Sequence, residues 1–286
     1  MVVQHNLLAM NANRNLGITT GQQQKSTEKL SSGYRINRAA DDAAGLTISE
    51  KMRSQIRGLK QASDNAADGI SLIQTAEGAL NEAHSILQRM NELAIKAAND
   101  TNQSIDRTAI QKEINALASE IDRIACTTQF NKKNLINGEI KDLHLQVGAN
   151  KGQSVSIAIC VMNASNLGLG KGTVEVDGIA GKSTYKNVVV DNFDNAGIAI
   201  SAIQAAINKV SDQRSALGAL QNRLEHTIAN LDVAAENAQA SESRIRDVDM
   251  AEEMVEYSKN NILAQAGQSM LAQANQMTQG VMNLLG

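Results

Sequence analysis

Residues 41–99 restrict the possible folds of this 286-residue chain more than any other stretch does. They include no proline, and apolar residues recur along them every seven positions, in two rows offset by four. The rows are Met52, Leu59, Ala66, Ile73, Leu80, Leu87 and Ala94, and Ile48, Ala62, Ala76, Ala83 and Met90. Rows at this spacing form one apolar side of an α-helix. Such a helix would be roughly 80 Å long at 1.5 Å per residue, so it needs other long helices beside it.

The segments that follow predict two more long helices. Asp41 and Asp42 suit the start of the first helix as caps or first-turn charges, and Ser104 is predicted to cap the second. The second helix can fold back antiparallel on the first, and the third begins near Asn195. Their apolar rows are Ile110, Ile114, Leu117, Ile121 and Ile124 in the second helix, and Ile203, Val210, Leu217, Leu224, Leu231 and Ala238 in the third.

A small β region, at about residues 140–192, is predicted between the second and third helices. Here the apolar period changes to two, which is typical of strands. Two alternating runs flank a turn at residues 148–153 and predict a hairpin. The alternating residues are Leu143, Leu145 and Val147 before the turn, and Val155, Ile157 and Ile159 after it. A second pair of strands is predicted at residues 173–176 and 186–190.

Both ends of the chain are helical by pattern but poor in large core residues. Residues 1–33 bear too little apolar surface to order alone, so we expect them to become helical only beside partners. The last helix carries the row Val255, Ile262, Ala266, Met270, Ala274, Met277, Val281 and Leu284. We therefore predict a mainly α protein, a long antiparallel helical bundle or coiled coil with a small β-hairpin region. Residues 1–42 and 241–286 would form one discontinuous domain, and residues 43–240 a helical rod domain.

The composition excludes several classes of function. A net charge of −3 is too balanced for a protein that binds nucleic acid through phosphate contacts. No run of about 18 apolar residues predicts a transmembrane helix, and residues 2–16 lack the features of a secretory signal. We expect neither a nucleic acid nor a membrane as a partner. The absence of proline and the 2% aromatic content favour closely spaced helices over sheets.

No set of reactive residues indicates an enzyme, a metal site or a cofactor site. The histidines are far apart in the sequence and match no metal motif. They are His5, His84, His144 and His226. Residues 181–183 resemble the end of a phosphate-binding loop but lack its first glycine, so a turn is the better interpretation. Cys126 and Cys160 fit no zinc pattern, and two buried thiols are predicted, with a disulfide as the alternative.

Short segments in two arms of the chain match, in order and spacing, the signatures of one protein family. In the first arm they are residues 30–37 (LSSGYRIN), 41–45 (DDAAG), 65–79, 87–94, 121–123, 128–131 and 145–150. In the second arm they are residues 217–224, 243–245, 262–267 and 275–276. The family that they resemble is the bacterial flagellins, over about residues 1–160 and 195–286. Only residues 162–194 separate the arms, so the chain resembles a minimal flagellin without a large outer domain.

The resemblance implies a structural protein rather than an enzyme, with many copies stacked helically into the flagellar filament for swimming. The terminal helices would pair as an inner tube, and the three long helices would form the next shell. The resemblance implies an extracellular location and export through the flagellar secretion channel without a cleaved signal. It also implies, as partners, an export chaperone on the carboxy-terminal helix, a filament cap and hook–filament junction proteins.

The resemblance further implies recognition by a host Toll-like receptor at residues 88–96 and at a facing glutamate on the second helix. Arg89, Leu93 and Glu113 match the contact residues of the family, and Arg89 and Leu93 share a helix face. The candidate receptor set is Gln88, Arg89, Glu92, Leu93, Lys96 and Glu113. The last helix resembles the segment read by the chaperone and by intracellular inflammasome sensors. Its candidate residues are Val255, Ile262, Ala266, Met277, Val281, Leu284 and Leu285.

Three alternatives stay open at the level of sequence. A hook–filament junction protein would share the terminal helices but occur in few copies. An adhesin or host-binding module would act as a monomer, whereas a flagellin acts as a polymer. A monomeric helical bundle with frayed ends would need no partner.

Overall fold

The computed structural model describes residues 6–170 and 188–285, but not the side chains of residues 278–285. Most of the described chain is helical. The helices are α1 (Leu7–Ser32), α2 (Ala43–Ala97), α3 (Ser104–Thr127), α4 (Ala164–Leu167), α5 (Phe193–Arg246) and α6 (Met250–Leu285). The strands are β1 (Gln129–Phe130), β2 (Lys133–Asn134), β3 (Leu143–Gln146) and β4 (Ser154–Ile157). The predicted mainly α fold with a small β-hairpin region is confirmed.

These elements divide into two compact units. The first unit comprises Met1–Ile56 and Ala235–Gly286, and the second comprises Arg57–Ala234. Both α2 and α5 are continuous helices that contribute residues to each unit. The sequence places the domain boundaries after residue 42 and after residue 240, and these boundaries stay a prediction.

The second unit contains a large apolar core to which three helices contribute members of their predicted rows and some neighbouring residues. Leu80, Leu87 and Met90 of α2 are fully buried. To this core α3 adds Ile110, Ile114, Ala118 and Ile121, and α5 adds Ile203, Ala206, Val210, Leu217 and Leu224. Full burial of a leucine-sized side chain stabilises a fold by roughly 1.5–3 kcal/mol, so this cluster supplies much of the driving force for folding of the unit.

Polar contacts show that α3 and α5 both run antiparallel to α2. The Arg107 Nε, near the start of α3, donates to the Ala97 carbonyl oxygen at the end of α2, at 3.2 Å. Further along α3, Glu113 Oε1 lies 3.0 Å from Nη2 of Arg89, which is further back along α2. Residues further along α5 contact residues further back along α2. These contacts are Arg214 Nη2 to Glu77 Oε1 at 3.6 Å, and Ser63 Oγ to Asp232 Oδ1 at 3.1 Å. The predicted antiparallel packing of the long helices is therefore confirmed.

Carboxylates fix the starts of α2 and α3, although one predicted cap is wrong. Asp42 Oδ1 accepts the Gly45 N–H at 2.8 Å, so Asp42 caps α2 as predicted. The cap of α3 is Gln103 rather than Ser104, because the Gln103 N–H donates to Asp106 Oδ2 at 3.1 Å. Ser104 is therefore the first residue of the helix itself.

The side of α2 that is buried in its first turns differs from the side that is buried along the rest of the helix. Ile48 is 45% exposed, although it belongs to a predicted apolar row, whereas Ser49 is fully buried. An α-helix of 3.6 residues per turn drifts about 20° per heptad from a strict seven-residue row. The row that is buried in later heptads has therefore turned away from the packed side at the start of α2.

The predicted hairpin forms from β3 and β4, with Leu143 opposite Ile157 and Leu145 opposite Val155. This register confirms the two alternating runs read from the sequence. Most of the second predicted strand pair lies outside the described residues, as does the predicted turn at 181–183.

The hairpin lies against α2 at two glycines. A Cβ atom placed on Gly58 would come within 2.9 Å of the Ala149 Cβ, and one on Gly69 would collide with the Leu145 Cδ1. Eleven residues make about three helical turns, so the two glycines lie on the same side of α2. The missing side chains give the hairpin the room to pack directly on the helix backbone.

In the first unit α1 and α6 lie side by side and antiparallel. The Asn6 Nδ2 donates to the Ala274 carbonyl oxygen at 3.0 Å near one end, and Lys29 Nζ lies 3.1 Å from Glu253 Oε2 near the other. Gly33 ends α1 in the left-handed conformation, with a φ of 75°, and donates its N–H to the Lys29 carbonyl oxygen at 2.8 Å. A partner for the amino-terminal arm is thus present within the same chain.

The turns that follow α1 and α5 pair with each other. The Arg35 N–H donates to the Arg246 carbonyl oxygen at 2.7 Å, and the Val248 N–H donates to the Gly33 carbonyl oxygen at 3.1 Å. The Arg246 guanidinium lies 4.6 Å from the centroid of the Tyr34 ring, within the range of a cation–π interaction. The two turns of the first unit are therefore fixed together.

Candidate functional site

The side chains that the structure describes offer no cluster of metal ligands. Within residues 6–170 and 188–277, no group of three or more His, Cys, Asp or Glu side chains could hold a metal ion. As far as the helices are described, none is both long and apolar enough to cross a membrane. Cys126 is half-buried and Cys160 is exposed, and both are free thiols. The prediction of two buried thiols is wrong for Cys160. The alternation of inward and outward side chains in β4 continues past the end of the strand, so Ile159 points inward and Cys160 points to the solvent.

The first unit exposes many large apolar side chains on α1 and α6, and we call this set the terminal surface. Each of its side chains is between 47% and 69% exposed. Its members are Leu7, Leu8, Met10 and Ile18 of α1, and Met250, Met254, Val255, Ile262, Leu263, Met270 and Met277 of α6. Large apolar areas left exposed on a soluble protein mark a surface that contacts another molecule.

The orientation of α6 explains most of the terminal surface. The polar residues Glu253 and Asn260 are 7% and 5% exposed, whereas Val255 and Ile262 are 69% and 67% exposed. An amphipathic helix that completes the core of a monomer has the opposite arrangement, with its apolar row inward. The apolar row of α6 is therefore available to a partner outside the single chain.

The structure places three of the seven predicted residues of the last helix on the terminal surface. Val255, Ile262 and Met277 belong to it, and Ala266 is also exposed on α6. The side chains of Val281, Leu284 and Leu285 lie outside the described residues. The row read from the sequence steps by seven, four and three residues from Val255, and it left out apolar neighbours of its members that are also exposed on α6. Those missed members are Met250, Met254 and Leu263.

A second candidate surface is an exposed group of charges on α2 and α3, which we call the Arg89 cluster (Arg89, Glu92 and Glu113). Arg89 Nη2 lies 3.0 Å from Glu113 Oε1, and Arg89 Nη1 lies 3.1 Å from Glu92 Oε2. The side chains are 53%, 69% and 47% exposed, in the order Arg89, Glu92 and Glu113. The hydrogen bonds to Glu113 and then to Glu92 raise the pKa of Arg89, so its guanidinium stays charged and is held between two carboxylates.

The other residues of the predicted receptor set differ in exposure. Gln88 and Lys96 are exposed, and the Gln88 Nε2 lies 3.0 Å from the His84 Nε2. Leu93 is only 4% exposed and belongs to the core of the second unit. Residues four apart on a helix differ by about 40° in direction, so Arg89 can lie at the edge of the packed side while Leu93 lies within it. The structure brings Arg89, Glu92 and Glu113 together at the surface, but not Leu93.

A buried contact that sequence reasoning missed supports the second unit from inside. Asp122 is only 5% exposed, and its Oδ1 accepts the Ala164 N–H at 2.7 Å. Asp122 follows Ile121 on α3 but is not a member of the predicted apolar row. The sequence therefore carries no signal for this buried contact, and its hydrogen bond is what allows the carboxylate to be buried.

Comparisons with known proteins agree with the fold and with both arms of the chain. Residues 3–141 match the model of the bacterial flagellin N-terminal helical region, and residues 200–285 match that of the bacterial flagellin C-terminal helical region. A flagellin of Halalkalibacterium halodurans is 55% identical over 285 residues, with 100% of both chains covered. A flagellin of Bacillus subtilis is 52% identical over 307 residues, also with 100% of both chains covered.

One solved structure shares the fold at low sequence identity. It is that of a candidate flagellar hook-associated protein from Vibrio parahaemolyticus, with a TM-score of 0.59 and 13% identity. The match covers 72% of this chain and 100% of that chain. At this identity the likeness concerns the fold alone.

Proposed function

This chain belongs to the bacterial flagellin family, and from that premise we propose that its copies assemble into the flagellar filament and serve swimming motility. Flagellins are structural subunits of that extracellular filament, so the role is structural rather than enzymatic. The single observation that supports assembly best is the outward apolar row of α6, in which Val255 and Ile262 are more than half exposed.

The partner that covers the terminal surface should itself present an apolar surface. Burial of apolar area contributes roughly 25 cal/mol per Å². About two thirds of Val255 and of Ile262 stays exposed in the single chain, so most of this gain is left to a partner. A second copy offers the same kind of apolar side chains on both α1 and α6. Contacts between different patches of identical subunits extend into an open helical polymer when the rotation does not close. Assembly of this kind would bury the terminal surface of each copy against the next.

The test replaces two members of the outward row of α6. We expect Val255→Ser with Ile262→Ser to form few or no tubes under salt-induced polymerisation, as judged by sedimentation and negative-stain microscopy. The monomer should keep its helical circular dichroism, because both side chains are exposed. The matched control is Gln265→Ser with Gln268→Ser, which changes two exposed polar side chains on the same helix and should assemble like the parent.

Two outcomes would contradict the proposal. Equal tube formation by the Val255→Ser, Ile262→Ser variant and the parent would show that the outward row is not an assembly surface. A parent chain that stays monomeric at every concentration and salt would favour an adhesin or host-binding module instead. A chain that occurs in only a few copies in a purified filament would favour a hook–filament junction protein.

For export, we propose passage through the flagellar secretion channel without a cleaved signal. A cytosolic chaperone would cover α6 beforehand, and the filament cap and junction proteins would meet the chain afterwards. The family resemblance and the uncovered row of α6 support this proposal. Protein recovered from filaments should carry its original amino-terminal segment, and a strain without the channel should retain the chain inside the cell. A shortened amino terminus in the filament would contradict it.

For immune recognition, we propose that a Toll-like receptor binds the Arg89 cluster together with Gln88 and Lys96. The support is the match of Arg89 and Glu113 to the contact residues of the family and the exposure of both side chains. Leu93 is a core residue, so its part in recognition would be to hold the α2 surface in place. The charged face is interpreted as a subunit-packing surface that the receptor exploits.

The receptor test uses a second exposed ion pair as its control. Arg89→Ala with Glu113→Ala should lose binding in a pull-down with the receptor ectodomain. Arg123→Ala with Glu120→Ala removes a comparably exposed pair on α3 and should bind like the parent. Leu93→Ala is unsuitable as a contact variant, because it would open a cavity in the core. Retained binding by the Arg89, Glu113 variant would refute the proposed site.

For the intracellular inflammasome sensors, we propose the end of α6 as the recognised segment. The proposal rests on the family resemblance of residues 281–285 at the carboxy-terminal end. A chain that lacks residues 278–286 should lose activation of these sensors while it keeps binding to the Toll-like receptor. Unchanged inflammasome activation by the shortened chain would refute it.

A further inference from the structure

The segment after β2 contains the one Asn-Gly dipeptide of the sequence, at Asn137 and Gly138. Asn137 is exposed and lies in a bend, outside every helix and strand of the described chain. Gly138 has a φ of 89°, a conformation that favours glycine over all other residues. Asparagine is among the chemically labile residues of proteins, and a following glycine removes the steric barrier to its reaction with the backbone.

The reaction at such a site needs only water. The backbone nitrogen of Gly138 attacks the Cγ of Asn137, the bond from Cγ to the side-chain nitrogen breaks, and ammonia leaves with the proton from the Gly138 N–H. The product is a five-membered succinimide. Water then opens either carbonyl of this ring, which gives aspartate or isoaspartate. No electrons are transferred, and no cofactor takes part.

The structure leaves the attacking nitrogen available. Among the hydrogen bonds of residues 6–170 and 188–285, none involves the Gly138 N–H or the Asn137 side chain. A nitrogen whose proton is held in a hydrogen bond is a poorer nucleophile for this attack, because the proton must be lost as the ring closes. At this dipeptide the available nitrogen belongs to a glycine, so neither a hydrogen bond nor a side chain stands against the attack.

Asn163 and Ala164 provide the contrasting case within the same unit. The Ala164 N–H is buried and donates to Asp122 Oδ1 at 2.7 Å. The Asn163 Oδ1 accepts the Asn166 N–H at 2.9 Å, which fixes the side chain as the cap of α4. Both reacting groups are therefore engaged, and the alanine side chain adds a steric barrier. This site serves as an internal reference.

We propose that Asn137 is a site of spontaneous deamidation in the folded protein, with aspartate and isoaspartate as its products. Isoaspartate adds one carbon to the backbone between two cross-links of the unit. The Met162 N–H donates to the Ile136 carbonyl oxygen at 3.1 Å, and the Ile159 N–H donates to the Ile140 carbonyl oxygen at 3.2 Å. The longer backbone cannot keep both bonds in their present register, so isoaspartate loosens this part of the second unit.

The experiment follows the full-length native protein in mildly alkaline buffer over time. Peptide mapping by mass spectrometry should show the mass gain of amide-to-acid conversion at Asn137, while the Asn163 peptide stays unchanged. Labelling by protein isoaspartyl methyltransferase should appear in the parent and be absent from Asn137→Gln, whose longer side chain closes a ring far more slowly. In urea the Asn163 peptide should begin to react, because its protecting bonds are lost.

The controls keep the proposal open to refutation. If the native chain gains no mass at Asn137 while the urea-unfolded chain does, the folded bend prevents the attack and the proposal is wrong. Equal deamidation of Asn137 and Asn163 in the native chain would also overturn it. The rate of deamidation would then not depend on whether the following backbone nitrogen is available. Circular dichroism of Asn137→Gln would show whether the variant keeps the fold.

Discussion

At the scale of single residues, the buried carboxylate of Asp122 joins α3 to the start of α4. Its Oδ1 accepts the Ala164 N–H at 2.7 Å in the interior of the second unit. Asp122→Ala would leave that N–H buried without this acceptor, and we expect a loss of about 1.5–3 kcal/mol in the free energy of unfolding. Urea denaturation measures the loss. The control is Asp212→Ala at an exposed position of α5, and equal stabilities of the two variants would contradict this account.

A second residue, Asp41, makes the turn before α2 sensitive to acid. The Arg38 and Asn37 N–H groups donate to Asp41 Oδ2 at 2.9 and 3.2 Å. Both hydrogen bonds lower the pKa of Asp41, and the bond from Arg38 has the larger effect. Because the folded pKa lies below the unfolded one, the contribution to stability is complete above the unfolded pKa. It is lost as the pH falls through the folded pKa.

The corresponding measurement is amide hydrogen exchange at Asn37 and Arg38 across the acid range. Protection of both amides should fall as Asp41 takes up a proton. Asp41→Asn removes the titrating group, so its exchange should lack this pH-dependent step. A parent and a variant with the same pH profile would show that the carboxylate does not hold the turn.

At the scale of elements, two glycines with open space around them should respond to alanine in opposite directions. Gly33 ends α1 with a φ of 75°, and Gly33→Ala should destabilise the first unit by about 1 kcal/mol through backbone strain. Gly78 lies inside α2, and Gly78→Ala should stabilise by roughly 0.5–1 kcal/mol through helix propensity. Thermal unfolding of both variants checks the signs. A stabilising Gly33→Ala would disprove the assigned role of the left-handed turn.

The long elements could be predicted from the sequence because their apolar periods repeat many times. The rows that contain Leu80, Ile114 and Leu217 predict three helices, and each of these side chains is fully buried as expected. Periodicity states which residues share a side, but it does not state what that side contacts. The sequence predicts that the row of Val255 shares one face of α6, but its outward direction depends on α1, which covers the opposite side of α6.

The candidate sites could be predicted only where local pattern or family resemblance reached them. Arg89 and Glu113 were assigned by resemblance, and the structure adds their ion pair at 3.0 Å. The burial of Leu93 was not foreseen, because a small angular difference on the helix separates an edge position from the core. The bond between Asp122 and Ala164 joins residues 42 positions apart, and no local pattern reports such a distance.

At the scale of the whole molecule, the two units differ in what holds them together. Every member of the large apolar cluster, from Ala66 to Leu224, belongs to the second unit. In the first unit the buried residues include polar ones, namely Ser26, Ser49, Glu253 and Asn260. Apolar burial is the main stabilising contribution to folding, so the second unit should be the more resistant of the two.

Limited proteolysis of the monomer tests this difference. We expect α1 and α6 to be cut first and fragments of the second unit to persist, since local opening is easiest where few apolar contacts are buried. The same protease should cut α1 and α6 more slowly after polymerisation. Cleavage within α2 or α3 before either terminal helix would contradict the expectation.

The two glycines beneath the hairpin restrict how the length of α2 can change during evolution. Gly58 and Gly69 meet Ala149 and Leu145 on one side of the helix. Insertion or deletion of one residue between them would rotate one glycine by about 100° relative to the other and bring a side chain under the hairpin. Homologous chains that retain this hairpin should therefore accept substitutions between the two positions but no gaps.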